Sequence, residues 1–344
     1  MSINRPDLSN VSDEIAAYIR WLEAELEKHS AAPAQVSSVP TSASTGITEP
    51  ETTINIVTIS HSGKIKRTPR HLYTRQRRGG MGVFDLEIND DDLPIGLAAV
   101  DENQRLLLLT NLARAFQFPL SKLPSSEVRS RGENIRDRLD LLDGEFVRVV
   151  LPTPSQGYIT MVSERGYVRR LRNHVFGEYM KPGTTVMDLK EAGSLVAAGF
   201  TSGEEDVFIA TRSGIGLRFA EKVIPPMGCL GIRLKDGDVP VALCGVREHS
   251  GVFLLEADGR GTIRLMSGFA PNKAPGAGGK NTMKTDALVG AATINETEDI
   301  FAISRQSKMI RFPAVEVPPK EGVVQGVICM SLRSDVCTAV TSGS

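Results

Sequence analysis

From about residue 54 onward the chain is dominated by short apolar runs rather than by helical periodicity. One such run recurs six times: INIVTIS from Ile54, LLLLT from Leu106, YITMVS from Tyr158, VFIAT from Val207, VFLLE from Val252 and IFAIS from Ile300. Each predicts a short strand. The polar residues closing these runs are Ser60, Thr110, Ser163, Thr211, Glu256 and Ser304, spaced 45 to 53 residues apart. Three positions further on stand Gly63, Ala113, Gly166, Gly214, Gly259 and Ser307, a turn position held mostly by glycine. A second strand follows, with Leu171, Phe219, Leu265 or Phe312 at its apolar position, and the pair predicts a β-hairpin. Each repeat then has a Gly-bearing loop, an apolar stretch running into an acidic turn (VFDLEINDDD from Val83, GIRLKDGD from Gly231) and in most copies a final strand such as VPVALCGV from Val239. Four strands per repeat, six times over, predict an all-β chain folded as a six-bladed β-propeller. A closed ring leaves few open sheet edges, which suits a chain so rich in strands. Paired β-sandwiches or a solenoid would also use many strands; the constant period favours the propeller.

The first 53 residues read differently. Ser12 can cap a helix, Asp13 and Glu14 suit its positive end, and Ile15, Ile19, Leu22 and Leu26 share one face. Four turns of amphipathic helix are marginal alone in water, so residues 1–30 are expected to pack on a second copy, on the main domain or on another protein. Residues 31–53, rich in Ser, Thr, Pro and Ala, read as a flexible linker. The expected organisation is therefore a helix over 1–30, a linker over 31–53 and the propeller over 54–341.

Composition narrows the function. Hydrophobic residues make up 41% of the 344, enough for a packed core. Cys229, Cys244, Cys329 and Cys337 lie far apart with no C-x-x-C pair, which argues against a metal site or a disulfide framework and fits a reducing compartment. No signal sequence and no apolar run long enough to cross a bilayer is evident, so the expectation is a soluble, cytoplasmic protein that does not engage membranes. The formal net charge is only -1, but residues 1–53 carry three basic side chains (Arg5, Arg20, Lys28) against eight acidic ones. The remainder thus holds a basic excess, and Lys64 to Arg78 contains seven Lys or Arg with no acid. Local potential, more than total charge, governs association with a polyanion.

The segment Gln76-Arg77-Arg78-Gly79-Gly80-Met81-Gly82 concentrates this chemistry. Arg77 and Arg78 supply planar donors that can fork onto phosphate oxygens. Gly79, Gly80 and Gly82 let the backbone approach closely and adopt positive φ, so their amides could face a phosphate. Gln76 could anchor the loop or reach a sugar-phosphate. A solvated turn with incidental charge is the plainer reading of the same residues.

This segment, placed after the first strand pair ISHSGKIKRTP, resembles the box of the DNA gyrase A C-terminal domain: Gln, basic, Arg, Gly, Gly, basic, Gly. Six of the seven positions agree, and Met81 stands where the family has Lys or Arg. The repeats also resemble that family's hairpin-invaded propeller, the β-pinwheel, over roughly residues 54–340. The resemblance implies a non-catalytic disc whose rim binds double-stranded DNA without sequence preference and wraps it, beside gyrase or topoisomerase IV subunits. Losing the base at 81 removes one expected phosphate partner and lowers the salt slope by about one unit.

Further bases would extend such a rim. Lys64, Lys66, Arg67, Arg70 and Arg75 lead into the box. Arg129, Arg131, Arg136 and Arg138 lie in the second repeat; Arg169, Arg170 and Arg172 in the third; Arg218 in the fourth; Arg264 and Lys273 in the fifth; Lys308 and Arg311 in the sixth. Arg67, Gln117, Arg170, Arg218 and Arg311 fall seven positions after the strand-closing residue, and the fifth repeat has its base one step later, at Arg264. Any one of these is most simply a solvated strand residue; their recurrence suggests a basic path around the disc. Such contacts position DNA and carry no sequence code.

Other chemistry finds no support in the sequence. Pro275-Gly-Ala-Gly-Gly-Lys280-Asn281 lacks the Gly and the Ser or Thr of a phosphate-binding loop at 274 and 281, so no nucleotide cofactor is expected. The histidines show no triad spacing with Ser or Cys, and Tyr73 sits in nothing resembling a strand-cleavage domain. The competing expectation is a protein-interaction propeller that has lost strong DNA wrapping, with the N-terminal helix serving self-association.

Overall fold

Side chains of a strand alternate between its two faces, and here both faces are covered. In LLLLT, Leu106 and Leu108 pack with Val57, Ile59 and Phe116, while Leu107 and Leu109 pack with Ile159 and Met161 of the following repeat. The same division runs through every repeat, so the core consists of six apolar layers, one between each pair of neighbouring blades. That is why the recurring strands are almost continuously apolar rather than alternating.

The computed structural model describes residues 12, 15–16, 19–20, 49–153, 155–272 and 274–343. Two compact units are distinguished, Met1–Ile47 and Thr48–Ser344. In the first, Ile15, Ala16, Ile19 and Arg20 are helical and the Ala16 amide donates to the Ser12 carbonyl at 3.0 Å. Leu22, Leu26 and positions 31–48 of the expected linker lie outside the described residues.

The second unit is all-β. Repeat 1 contributes β1 (Ile54–Ser60), β2 (Lys64–Pro69), β3 (Val83–Phe84) and β4 (Pro94–Asp101). Repeat 2 contributes β5 (Arg105–Thr110), β6 (Arg114–Pro119), β7 (Glu133–Asn134) and β8 (Val147–Pro152). Repeat 3 has β9 (Tyr158–Ser163), β10 (Tyr167–Arg172), β11 (Thr184–Thr185) and β12 (Leu195–Thr201). Repeat 4 has β13 (Asp206–Thr211), β14 (Ile215–Ala220), β15 (Cys229–Leu230) and β16 (Pro240–Val246). Repeat 5 has β17 (Gly251–Glu256), β18 (Arg260–Leu265), β19 (Lys280–Asn281) and β20 (Leu288–Ile294). Repeat 6 has β21 (Asp299–Ser304), β22 (Lys308–Pro313), β23 (Pro319–Lys320), β24 (Val327–Ile328) and β25 (Cys337–Gly343).

The four strands of one repeat do not make one blade. Blade 1 runs β4-β1-β2-β7, and its outermost strand comes from repeat 2. The rule holds around the ring, and blade 6 runs β25-β21-β22-β3, closed by the short strand of repeat 1. This is a six-bladed propeller in which each blade is invaded by its successor. The last strands, β4, β8, β12, β16, β20 and β25, neighbour one another in that order and return to β4, lining a central cavity of about 1100 Å³. Among the described residues no helix is long and apolar enough to cross a membrane.

The hairpin turns behave as the repeat required. Gly63, Gly166, Gly214 and Gly259 have positive φ, and Ala113 and Ser307 adopt the same left-handed conformation at φ 52° and 60°. The strand-closing hydroxyls of Ser60, Thr110, Ser163 and Ser304 each accept the amide four residues on, at 3.1 to 3.2 Å. The acidic turns have a matching role. Asp92 accepts from the Ser62 amide and hydroxyl, Asp238 from those of Ser213, and Glu145 from the Thr110 hydroxyl. Burial works against the charge on Asp92 and Asp238. The serine hydroxyls and backbone amides outweigh it and hold both carboxyls below the ordinary aspartate range.

Candidate nucleic-acid interface

Residues 76–82 carry the chain from blade 1 to the outer edge of blade 6. Arg77 to Gly80 form a β-turn, with the Gly80 amide donating to the Arg77 carbonyl at 3.2 Å and Gly79 at φ 81° in its third position. The Gln76 amide bonds the Arg311 carbonyl at 2.8 Å and the Gly79 amide the Cys329 carbonyl at 2.7 Å. The Gly82 amide donates to Oε1 of Gln76 at 3.3 Å. Gln76 therefore anchors the loop. The amides of Gly79, Gly80 and Gly82 are consumed inside the protein, contrary to the expectation that they would face a phosphate. The glycines serve close passage instead: a Cβ at Gly80 would lie 2.5 Å from Gln76 Oε1, and one at Gly82 2.6 Å from the Met309 carbonyl oxygen.

This stitching leaves the two arginines at an exposed turn. The Arg78 amide donates to Glu316 at 2.7 Å, and its guanidinium reaches the Ile328 carbonyl at 3.2 Å. Among the described residues no carboxylate pairs with either guanidinium. Nearby, Arg129 and Arg131, 72% and 87% exposed, share Glu87 at 3.3 and 3.4 Å, and Lys64 donates to the Glu87 carbonyl at 3.2 Å. Phe84 on β3, 54% exposed, lies under Arg129 and Lys308. Arg75 is half exposed but pairs with Asp299 at 3.0 Å, and Arg70 pairs with Glu49 at 2.7 Å. Arg67 is half-buried. Of these pairs, the exposed ones to Glu87 hold Arg129 and Arg131 weakly and leave them open to exchange partners.

Arg136, Arg138 and Arg172 are also exposed, but most of the bases expected from the second strands of the hairpins are not on the surface. Lys66, Arg218, Arg264 and Arg311 are 1%, 3%, 5% and 1% exposed. Arg218 bonds Asp206 at 2.8 Å and Glu248 at 3.0 Å, and donates to the Met266 and Phe269 carbonyls of the next repeat at 2.8 and 3.2 Å. Arg311 bonds Asp299 at 2.6 Å and donates to the Arg70 and Tyr73 carbonyls at 3.1 and 2.9 Å. Gln117 reaches the Phe176 carbonyl in the same way, and Arg170, paired with Glu221 at 3.5 Å, reaches that of Lys222. In four repeats the side chain seven positions on, Gln117, Arg170, Arg218 or Arg311, is thus an inter-blade staple that satisfies carbonyls of the turn after the next repeat's hairpin. Arg264 is no equivalent. Phe253 opposes Ile263 as Phe208 opposes Arg218, so Arg264, one residue later, points to the other sheet face, where it donates to the Gly268 carbonyl at 3.0 Å. Lys273 lies outside the described residues.

Lys66 is held by Asp85 at 2.8 Å in a pocket where Asp85 also accepts from Tyr73 at 2.5 Å and Thr58 at 2.7 Å. Burial lowers the Lys66 pKa despite the Asp85 charge, and burial followed by Asp85 raises that of Tyr73 well above the ordinary tyrosine value. The Asp85 amide bonds the Ser307 carbonyl of blade 6 at 2.8 Å, so this buried cluster fixes the strand that follows the box. Tyr73 is a structural residue here.

The family described as "DNA gyrase C-terminal domain, beta-propeller" matches residues 55–101, 104–154, 157–202, 205–239 and 298–336, more than half of the chain. The chain belongs to that family. The DNA gyrase A protein of Staphylococcus epidermidis is 26% identical over 80% of this chain, and that of Kosmotoga olearia 27% over 81%. The chain spans about a third of those relatives, 33% and 36% of their lengths. A solved DNA gyrase A C-terminal domain superposes with a TM-score of 0.76 at 21% identity, covering 85% of this chain and all of that one. A topoisomerase IV C-terminal domain superposes at 0.60 and 18% identity, covering 84% and 93%. These likenesses show the gyrase-type propeller fold.

One repeat position escaped the sequence reading. Gly82, Gly132, Gly183, Gly228, Gly279 and Gly326 each precede the strand that invades the preceding blade, all with φ between 63° and 89°. At five of them a Cβ would fall 2.5 to 2.6 Å from a carbonyl oxygen of that blade's second strand. Their spacing of 45 to 51 residues is a signal as regular as the strand-closing polar residue.

Proposed function

We propose that this gyrase-type propeller binds duplex DNA without sequence preference through the exposed turn bearing Arg77 and Arg78, and bends it along the adjoining rim. The observation that carries the reading is the pairing state of those arginines. They stand side by side on a loop pinned by Gln76, with no carboxylate on either guanidinium among the described residues, while the bases of the staple positions are consumed internally. Arg129, Arg131 and Lys64 around Glu87, with Arg75, are the proposed extension of the contact. Phosphate contacts of this kind position the duplex, and bending it costs several kcal/mol by elastic estimates, so several must act together. No strand cleavage, nucleotide or cofactor enters the proposal. The expected partners are gyrase or topoisomerase IV subunits at the nucleoid, with self-association through the N-terminal helix. Ligating nicked circular DNA with the protein bound tests wrapping: the topoisomer distribution shifts with the wild-type chain and not with the Arg77→Ala/Arg78→Ala variant. An unshifted wild-type distribution contradicts it.

A second reading draws on Met81, 52% exposed in the box where a base is expected, with Val83 and Phe84 exposed beside it. In that reading the same edge holds a protein partner and DNA binding is weak. A low-salt mobility-shift titration separates the two.

A further inference from the structure

The central cavity is lined by the last strand of each repeat, and each of these strands carries a bulge next to its first residues. The bulged residue is Ile95, Val196, Val241, Val289 or Thr338 in five repeats, and Arg148 in repeat 2. The fold is therefore satisfied by an uncharged side chain at this place. Arg148 is half-buried, lines the cavity, and makes one hydrogen bond, from Nε to the Val196 carbonyl at 3.3 Å. Arg212, in the hairpin turn of repeat 4, lines the same cavity. Among the described residues neither guanidinium lies within ion-pair distance of a carboxylate.

The charges at the two ends of the cavity differ. Where the inner strands end, Arg247 faces Glu205 at 3.8 Å, so that mouth is balanced. Where they begin, Arg148 and Arg212 line the cavity and, among the described residues, neither is paired with a carboxylate; the acids of the turns just before those strands, Asp92, Glu145 and Asp238, are held by Ser62, Thr110 and Ser213. Burial first, and then the charge of Arg212, lower the pKa of Arg148. Half-buried Arg148, with its terminal N–H groups unbonded, and exposed Arg212 line the same mouth, and planar forks of this kind suit a tetrahedral oxyanion.

We propose that Arg148 and Arg212 form a binding site for a phosphate-type oxyanion at one mouth of the central cavity, separate from the rim that carries the box. The Val196 carbonyl orients Arg148 through Nε and leaves its two terminal nitrogens for the ligand, and Arg212 closes over the anion from across the ring. Binding neutralises the repulsion between the two arginines and ties repeat 2 to repeat 4 across the cavity, so the occupied ring is more stable than the empty one.

Thermal unfolding of the full chain, titrated with inorganic pyrophosphate at fixed ionic strength, tests the site. The proposal expects a saturable rise in the midpoint of a few degrees for the wild type. It expects Arg148→Gln and Arg212→Gln each to weaken pyrophosphate by about tenfold or more, the loss of one charged hydrogen-bonding group. Arg148→Gln without ligand should unfold no lower than wild type, because it removes a repulsion. Arg247→Gln at the opposite mouth and Arg77→Ala/Arg78→Ala on the rim should keep the full response, so that the failure of this site and the failure of the DNA reading are told apart. No saturable rise in the wild type, or a response unchanged in Arg148→Gln, overturns the proposal. So does a response lost only in the rim variant.

Discussion

Nη1 of Arg311, in the second strand of the last repeat, donates to the carbonyl oxygen of Tyr73 in the first repeat at 2.9 Å. This one bond spans nearly the whole of the β-unit's sequence and joins the ends of the ring. The same guanidinium holds Asp299 at 2.6 Å and Glu49 at 2.5 Å, and the hydrogen bond to Arg311 is the first cause of the lowered Glu49 pKa. Ring closure therefore rests on a buried cation as well as on β3 completing blade 6.

Replacing Arg311 should open this seam. Arg311→Met leaves buried Asp299 with only the half-exposed Arg75 as its partner and is expected to destabilise the chain by about 3 kcal/mol, the low end of the cost of breaking a buried pair from one side. Denaturant unfolding measures it. The folded fraction should retain its duplex affinity, since Arg311 is 1% exposed. A stable variant with weakened DNA binding would return Arg311 to the rim.

The glycines before the invading strands give a sharper steric case. At Gly82 a Cβ would meet the Met309 carbonyl oxygen at 2.6 Å, with φ already 72°. Gly82→Ala is expected to destabilise by about 1–3 kcal/mol through strain at a left-handed position against fixed backbone. At Gly278 nothing lies within 4 Å. Gly278→Ala should be neutral, or stabilising by up to about 1 kcal/mol through the unfolded chain. Equal effects in calorimetry would contradict the close-passage role.

The strand repeats, the left-handed turn and the six-fold ring were legible in the sequence because each repeat must bury the same faces. The position of Ala113 and Ser307 as turn residues could be read by alignment to the four glycines alone. What misled was the recurrence of bases. Arg218 and Arg311 recur for the same reason as Leu108 or Phe301, namely that the blade interface needs them, and the chemistry of a cation does not say whether it faces a phosphate or a carbonyl. Gln117 at the same position carried the clue: an uncharged donor does the same work. The box arginines were legible because the glycines and Gln76 around them dictate a tight turn, and a tight turn exposes its apex.

Acidification should strike the hairpin caps. Asp92 and Asp238 have folded-state pKa values below the ordinary value of 3.8, so folding favours their charged forms. Their contribution is complete above the unfolded-state pKa and disappears as the pH falls through the lower folded-state values. Thermal midpoints are expected to hold constant down to about pH 5 and decline below about pH 4. Asp92→Asn combined with Asp238→Asn should lower the midpoint at neutral pH and flatten that acid decline. An acid limb unchanged in the double variant would place the titration elsewhere.

The salt dependence of duplex binding tests the central claim most directly. Affinity for a mixed-sequence duplex is measured across a range of monovalent salt for the wild type, Arg77→Ala/Arg78→Ala and Arg218→Met. If the box turn is the phosphate contact, the double variant binds more weakly and its log–log salt slope falls by about two units, about 0.9 for each phosphate released. The folded fraction of Arg218→Met keeps the wild-type slope. A wild-type slope in the double variant, or a slope lost in Arg218→Met alone, would contradict the assignment of DNA binding to the exposed arginines of the box.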